Sequence, residues 1–333
     1  MLLKVSSIYI CYFCGEKIDA NCYSVDKNQE GFWCDTCDGF NYFQKEDLKK
    51  HRFYLLLEDC RIGEKINIKS DVKFKKHISP LRYPGGKSKL IDYVYSQLNL
   101  SKTKLFVEPF AGGANVGLSL LNANIIDKLI INDLDYGIYS LFETIKHDPE
   151  TLLNKINTYQ PTHEDYFKAQ ENITSGYKNL DCFTSAWSLL LVNRLAYSGI
   201  YNANPLGGKN GSLEELLKRW NPSTLTKRIG SISKMSNKII VKNMDACELI
   251  EEMYWIDNAT LFVDPPYFEK GKYLYNHHYN KSEHIKLNVL LDSLYQGCPG
   301  ADLILTYDHH EYIKKLYTHP EVKIIKRAYS IAI

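Results

Sequence analysis

The stretch Leu261-Phe262-Val263-Asp264-Pro265-Pro266-Tyr267 constrains the architecture more than any other part of the chain. Three apolar residues of strand character run into a carboxylate, and two prolines then forbid both a helix and a further ladder hydrogen bond. The pattern predicts a buried strand with Asp264 at its carboxyl end, where open α/β sheets bind their ligands. Proline has no N–H, so the corner offers carbonyl acceptors and few donors. A carboxylate beside such carbonyls suits a substrate group that only donates, such as an exocyclic amine. Tyr267 adds a flat face on which a ring could stack. Taken alone, the tetrad also fits a plain Pro-Pro turn after a core strand.

Other apolar runs extend the same rhythm. Leu105 to Gly117 reads as strand, glycine turn and helix, and a second strand, Leu129 to Asn132, ends in Asp133. In a doubly wound sheet that position carries the group that binds ribose hydroxyls. The turn lacks the Gly-x-Gly-x-x-Gly spacing of a dinucleotide site, so the unit reads as nucleoside-binding without a pyrophosphate cradle. Further strands are expected at Lys238–Val241, Ala259–Val263 and Leu303–Thr306. Asp245 opens a helix, and Glu283–Tyr295 and His310–Tyr317 supply two more. Pro80 to Ser88 ends in Gly-Gly-Lys-Ser, but Leu81 stands where a triphosphate loop needs its first glycine. That segment reads instead as a loop whose glycines admit a ligand, with Lys87 offering charge and Tyr83 a ring.

Between Tyr136 and Lys238 the strand rhythm stops and helical patterns take over, including one from Asp181 through Leu195. A Gly- and Asn-rich loop from Ser198 to Ser212 holds or adjoins Tyr197, Tyr201, Asn202, Asn204 and Lys209, groups suited to reading nucleic acid. An ordinary helical cap with a long turn is the plainer reading. Lys218, Arg219, Lys227, Arg228 and Lys234 add a local basic excess that could meet phosphates.

The 333 residues suffice for about two domains. A net charge of +2 does not by itself announce a nucleic-acid binder. No apolar run approaches the roughly 18 residues of a membrane span, and the start has no signal-peptide pattern. Nine cysteines, five of them scattered, argue for a reducing cytoplasm. The other four form Cys11-x-x-Cys14 and Cys34-x-x-Cys37, at the spacing of a structural zinc site closed by four thiolates. A unit of roughly 40 residues buries too little core to stand without such a metal. Gln44 to Asp59 is expected to be helical, and the lysine-rich segment from Arg61 to Lys76 a solvated linker. His277, His278 and His284 have no acidic or thiol partners at ligand spacing and are not read as a metal site.

The order of motifs resembles that of the adenine-N6 DNA methyltransferases of the type that includes the bacterial Dam enzymes. The matching pieces are Arg82-Tyr83-Pro84-Gly85-Gly86-Lys87, Glu108-Pro109-Phe110-Ala111-Gly112-Gly113, Asn132-Asp133, Asn193-Arg194 with Tyr197 and Gly199, Asp245, and Asp264-Pro265-Pro266-Tyr267. They run from about residue 80 to 318 and leave the cysteine pairs outside. Asp135 stands where the family usually has Asn, and the specificity loop departs further, so no target sequence carries over.

The resemblance implies an α/β fold with a Rossmann-like class I methyltransferase sheet over 80–136 and 238–333. A helical target-recognition insertion would occupy 137–237; outside the resemblance, composition and cysteine spacing assign a basic linker to 61–79 and a zinc-ribbon-like unit with its helix to 1–60. S-adenosylmethionine would contact Tyr83, Gly85, Gly86, Lys87, Glu108, Phe110, Gly112, Gly113, Asp133, Asp245 and Asp264. Double-stranded DNA would meet Arg194, Tyr197, Tyr201, Asn202 and Lys209, with the target adenine flipped out of the stack. Asp264 and the Pro265 carbonyl would accept the two amine hydrogens, with Pro266 shaping the corner and Tyr267 stacking on the ring. Two alternatives stand beside this: an RNA methyltransferase, or a zinc-containing DNA-binding module with a silent methyltransferase fold. A restriction or defence partner and the oligomeric state are left open.

Overall fold

The computed structural model describes residues 51–65, 68, 70–82, 86–268, 279–297 and 299–326, with the backbone of six short strands nearer the start. Of those six, β1 (Leu3–Val5), β2 (Ile8–Ile10) and β3 (Lys17–Asp19) form one antiparallel sheet. A second contains β4 (Ser24–Val25), β5 (Gly31–Trp33) and β6 (Phe40–Tyr42). Cys11, Cys14, Cys34 and Cys37 lie outside the described residues.

The main sheet has eight parallel strands: β7 (Phe53–Asp59), β8 (Glu64–Lys65), β9 (Leu105–Glu108), β10 (Lys128–Asn132), β11 (Ile239–Lys242), β12 (Ala259–Val263), β13 (Asp302–Asp308) and β14 (Glu321–Lys326). Their spatial order is β11-β10-β9-β12-β13-β7-β14-β8. The strands expected from the apolar runs are β9 to β13. From β9 the chain winds one way through β10 to β11, and from β12 the other way to β13. The β9/β12 boundary is therefore the switch point, where a crevice opens past the strands' carboxyl ends.

Helices cover both faces. They are α1 (Ile91–Gln97), α2 (Asn115–Asn122), α3 (Tyr136–His147), α4 (Pro149–Thr158), α5 (His163–Thr174), α6 (Cys182–Leu195), α7 (Leu213–Leu217), α8 (Pro222–Ser233), α9 (Ala246–Tyr254), α10 (Lys281–Gly297) and α11 (Glu311–Leu316). Side chains alternate across a strand, so the sheet feeds two cores. Phe106, Leu129, Ile131 and Phe262 face a layer that includes α2, α3 and α6. Val107, Ile130, Leu261 and Val263 face α9, α10 and α11. The helices between 136 and 238 thus share one continuous core with the sheet. Within them α6 is buried from Ser185 to Leu195, as a helix apolar on all sides must be.

Two expectations are corrected upstream of β9. Phe53–Asp59 is a strand and not the second half of a helix, and it lies inside the sheet between β13 and β14. Its Leu56 enters one core and its Leu55 and Leu57 the other. A parallel strand buried on both faces shows no polar alternation, so its apolar run carries no period to tell it from a helix. The segment read as a solvated linker is also packed down. β8 pairs with β14, Phe74 and Ile78 are buried, and Ser119 Oγ donates to the Lys75 carbonyl at 2.9 Å. The apolar residues among the lysines decide its course, while the Lys75 and Lys76 heads reach Ser231 and Asp92 at the surface.

Candidate active site

At the end of β12, Asp264 opens into a cavity of about 940 Å³ that also touches Gly112, Gly113, Asp133 and Asp245. The carboxylate is 22% exposed, so it is partly held and partly presented. Thr306 Oγ1, from neighbouring β13, donates to its Oδ1 at 2.6 Å. Lys87 Nζ lies 2.6 Å from the same oxygen. Both partners converge on Oδ1, and no hydrogen bond among the described residues takes Oδ2. Burial pushes the Asp264 pKa up, the Lys87 charge opposes this, and Glu58 reinforces it.

Lys87 is 5% exposed and is held by more than one anion. Its Nζ is 3.2 Å from Glu58 Oε1 and donates to the Tyr267 hydroxyl at 2.7 Å. Tyr267 in turn donates to Glu58 Oε1 at 3.1 Å. Three adjacent strands, β12, β13 and β7, therefore deliver Asp264, Thr306 and Glu58 to one corner. Glu58 escaped the sequence reading, although an acidic residue ending an apolar run is the signal that marked Asp264. Thr306 closes the expected strand Leu303–Thr306, whose place beside β12 only the sheet reveals. Tyr267 is only 2% exposed, with its hydroxyl inside the charged cluster. Its ring is not presented to the cavity in this conformation, and stacking on a base requires it to turn outward.

The glycine turn is built by the strand ends beside it. Gly112 has φ +48°, and its N–H donates to Asp133 Oδ2 at 2.8 Å. Asp133 Oδ1 accepts the Asp135 N–H at 3.0 Å. The Leu134 backbone also faces this carboxylate, and of its roughly four acceptor positions at least one remains for a hydroxyl donor. Burial, then the neighbouring Asp135, pushes Asp133 up to about 7. Asp135, the residue that departs from the family pattern, caps α3 by accepting Gly137 N–H at 2.8 Å. Asn132 ties the site together, donating to the Pro109 and Met244 carbonyls at 2.9 and 3.1 Å. Asp245 caps α9, accepting Cys247 N–H at 2.8 Å. Buried Glu108 accepts the Gly117 N–H at 2.5 Å, and burial pushes its pKa up to about 8.

Of the expected cofactor contacts, Gly86, Lys87, Glu108, Phe110, Gly112, Gly113, Asp133, Asp245 and Asp264 line one cavity. Tyr83 and Gly85 lie outside the described residues. Tyr279, which the sequence reading passed over, joins the wall with its ring 5.5 Å from that of Phe110. Arg194 and the 62% exposed Tyr197 line the cavity too. Tyr201, Asn202 and Lys209 are not in its wall: Tyr201 packs against the core and the other two face solvent. Asn193 clamps the backbone of Arg82, accepting its N–H at 2.7 Å and donating to its carbonyl at 2.8 Å. A Cβ on Gly199 (φ +74°) would sit 2.9 Å from that same carbonyl. Buried His284 bonds the Tyr307 hydroxyl through Nδ1 at 2.8 Å, and among the described residues no group could hold a metal ion.

The sequence profile of the family described as D12 class N6 adenine-specific DNA methyltransferase matches residues 83–333. The chain belongs to that family. As a D12 methyltransferase it is a site-specific, S-adenosylmethionine-dependent enzyme of adenine DNA methylation. It is 22% identical over 264 residues to the type II methyltransferase M.MjaIII of Methanocaldococcus jannaschii, covering 73% of this chain and 89% of that protein. Identity to the type II methyltransferase M.FokI of Planomicrobium okeanokoites is 27% over 271 residues, covering 75% of this chain. Identity to the modification methylase StsI of Streptococcus sanguinis is 28% over 238 residues, covering 67% of this chain. The alignments span 40% and 34% of those two longer proteins. In the D12 methyltransferase, β7 and β8 lie upstream of the matched residues, so Glu58 reaches the site from outside the family segment.

The residues fit the cofactor that the family requires. A nucleoside with a charged tail needs hydroxyl acceptors, a close backbone and an aromatic wall, and Asp133, the Gly112 turn and the Phe110–Tyr279 pair supply these. With the ribose on Asp133, as the resemblance implies, the ionised carboxylate accepts its hydroxyls best, and S-adenosylmethionine affinity is expected to rise as pH climbs through about 7. Calorimetry across this range should show that limb flattened in Asp133→Asn. The same upward shift means that the protonated carboxyl favours the folded state, so this contribution fades as pH rises from about 4 to about 7.

Proposed function

We propose that Asp264 Oδ2 and the Pro265 carbonyl accept the two hydrogens of the amine on a flipped-out adenine. The observation that carries this reading is the opening of Asp264 into the same cavity as the glycine turn and Asp133. Drawing both N–H bonds out of the ring plane frees the nitrogen lone pair from ring conjugation and aims it at the methyl group. Lys87 and Thr306 hold the other carboxylate oxygen and fix its direction. Tyr267 leaves its bond to Glu58 to stack on the purine, and Pro266 lines the approach. S-adenosylmethionine, when bound, supplies an electrophilic methyl group. Asp133 and Asp245 hold its ribose and adenine, while Gly86, Glu108, Phe110, Gly112 and Gly113 line its bed. The protein's part is positioning and charge placement, and no cysteine acts as a nucleophile.

Arg194 and Tyr197, on the cavity wall, would read or grip double-stranded DNA, with Tyr201, Asn202 and Lys209 on the outer loop. This makes 137–237 the target-recognition region. The two Cys-x-x-Cys pairs at residues 11–14 and 34–37 support a structural zinc on spacing alone, and elemental analysis of purified protein should return one zinc per chain. DNA from cells expressing this chain, sequenced with detection of modified bases, is expected to carry N6-methyladenine at one recurring motif. Methyl groups found in RNA with none in DNA would transfer the assignment to the RNA alternative.

A further inference from the structure

Four guanidinium groups converge at the end of the cavity formed by the helical region. Arg82 is the residue clamped by Asn193, Arg194 lies in the last turn of α6, Arg219 lies between α7 and α8, and Arg228 is on α8; all four line the cavity that contains Asp264. Arg194 is only 6% exposed. Backbone carbonyls hold part of the group: Arg194 donates to the Arg219 carbonyl at 3.0 Å and Arg228 to that of Ser79 at 2.9 Å. No salt bridge among the described residues reaches any of the four. Arg194 Nε and one terminal nitrogen of Arg82, both shut off from solvent, have no hydrogen-bond partner among the described residues.

Such a cluster is costly as it stands. Buried charges are normally paired, and a buried N–H without an acceptor forfeits its solvation. Burial first, and then Arg228, Arg82 and Arg219, pull Arg194 down to about 10, which still leaves it charged at neutral pH. The first turn of α8 lies beside the cluster, with Asn221 and Thr224 in the cavity wall, so its helix dipole adds positive potential. A planar fork with a spare N–H suits a tetrahedral oxyanion, and several forks suit one that bears its charge on more than one oxygen.

We infer that Arg82, Arg194, Arg219 and Arg228 form a phosphate site that takes a backbone phosphodiester of the DNA whose adenine enters the Asp264 end of the cavity. The inference rests on the proposed placement of the adenine and adds what anchors its strand. Phosphate contacts set register and orientation without reading sequence, so this site positions the duplex while other residues select the target. Free inorganic phosphate has the same chemistry and is the competing source.

The test is binding of a mixed-sequence DNA duplex over a range of salt by the full chain and by Arg219→Gln and Arg228→Gln. Arg219 is exposed, so its variant should keep the parental melting curve, while Arg228→Gln gives up the bond to the Ser79 carbonyl and should stay folded with a slightly lower melting temperature. Each is expected to weaken duplex binding about tenfold and to lower the salt slope by about one, with S-adenosylmethionine affinity unchanged. Parental slopes in both folded variants overturn the site. So does a loss of cofactor affinity at unchanged slope, which assigns the cluster to the cofactor carboxylate. Saturable inorganic phosphate binding that the variants lose while keeping the parental slope assigns it to a free anion and also overturns the proposal. The readout is binding, so a parent that binds duplex with the expected slope yet methylates nothing refutes the adenine mechanism and leaves the arginine site standing.

Discussion

Asp264→Ala is expected to cut methyl transfer to DNA by about a thousandfold or more while S-adenosylmethionine still binds. The variant loses the acceptor for one amine hydrogen and the fixed charge beside the reacting nitrogen. Lys87 keeps Glu58 at 3.2 Å as a counter-ion and Tyr267 as an acceptor, so the corner should remain folded. Asp264→Asn separates shape from charge: it keeps one carbonyl acceptor in nearly the same volume and should retain more activity than alanine. Transfer of labelled methyl groups into DNA, measured beside calorimetric cofactor binding, checks both. Parental transfer rates in the alanine variant would remove Asp264 from the chemistry.

A chain beginning at residue 61 is expected not to fold, although every residue of the matched family segment remains in it. β7 sits between β13 and β14, with six register pairs to each. Its removal strips the hydrogen bonds from both neighbours and empties Phe53, Leu55, Leu56 and Leu57 from the two cores. Loss of one buried Leu side chain typically costs about 2–5 kcal/mol, and a domain has only about 5–15 kcal/mol of net stability. The single substitution Leu56→Ala should give a folded chain with a lower melting temperature. A cooperative melt with cofactor binding in the truncated chain would show that β7 is dispensable.

The sequence disclosed this protein wherever chemistry and local pattern coincide. Asp264 stands out because prolines stop the strand at the residue that must be presented, and Asp133 because a glycine turn precedes it. Asp245 stands out because an acidic residue before an apolar helix is a capping signal. Contacts between distant segments were harder to read. Glu58 and Thr306 matter because β7 and β13 lie side by side, and strand order is a property of the whole sheet. The arginine cluster joins residues 82, 194, 219 and 228, which the basic composition of one segment only partly suggested. Tyr267 was legible as part of the corner, but not the direction of its ring, because the hydroxyl's charged partners come from Lys87 and from β7.

β7 also governs when the protein can become itself during translation. The backbone N–H of Arg52 bonds the Asp302 side chain at 2.8 Å across a sequence separation of 250, and the β7 ladders lie at similar separations. At ordinary elongation rates of about 5–20 residues per second, the wait for those partners lasts roughly ten to fifty seconds. Throughout it, Phe53 to Leu57 leaves the ribosome as a greasy segment with no sheet to enter, a target for chaperones and a seed for aggregation. The nascent enzyme stays catalytically inert until β13 and β14 close around β7.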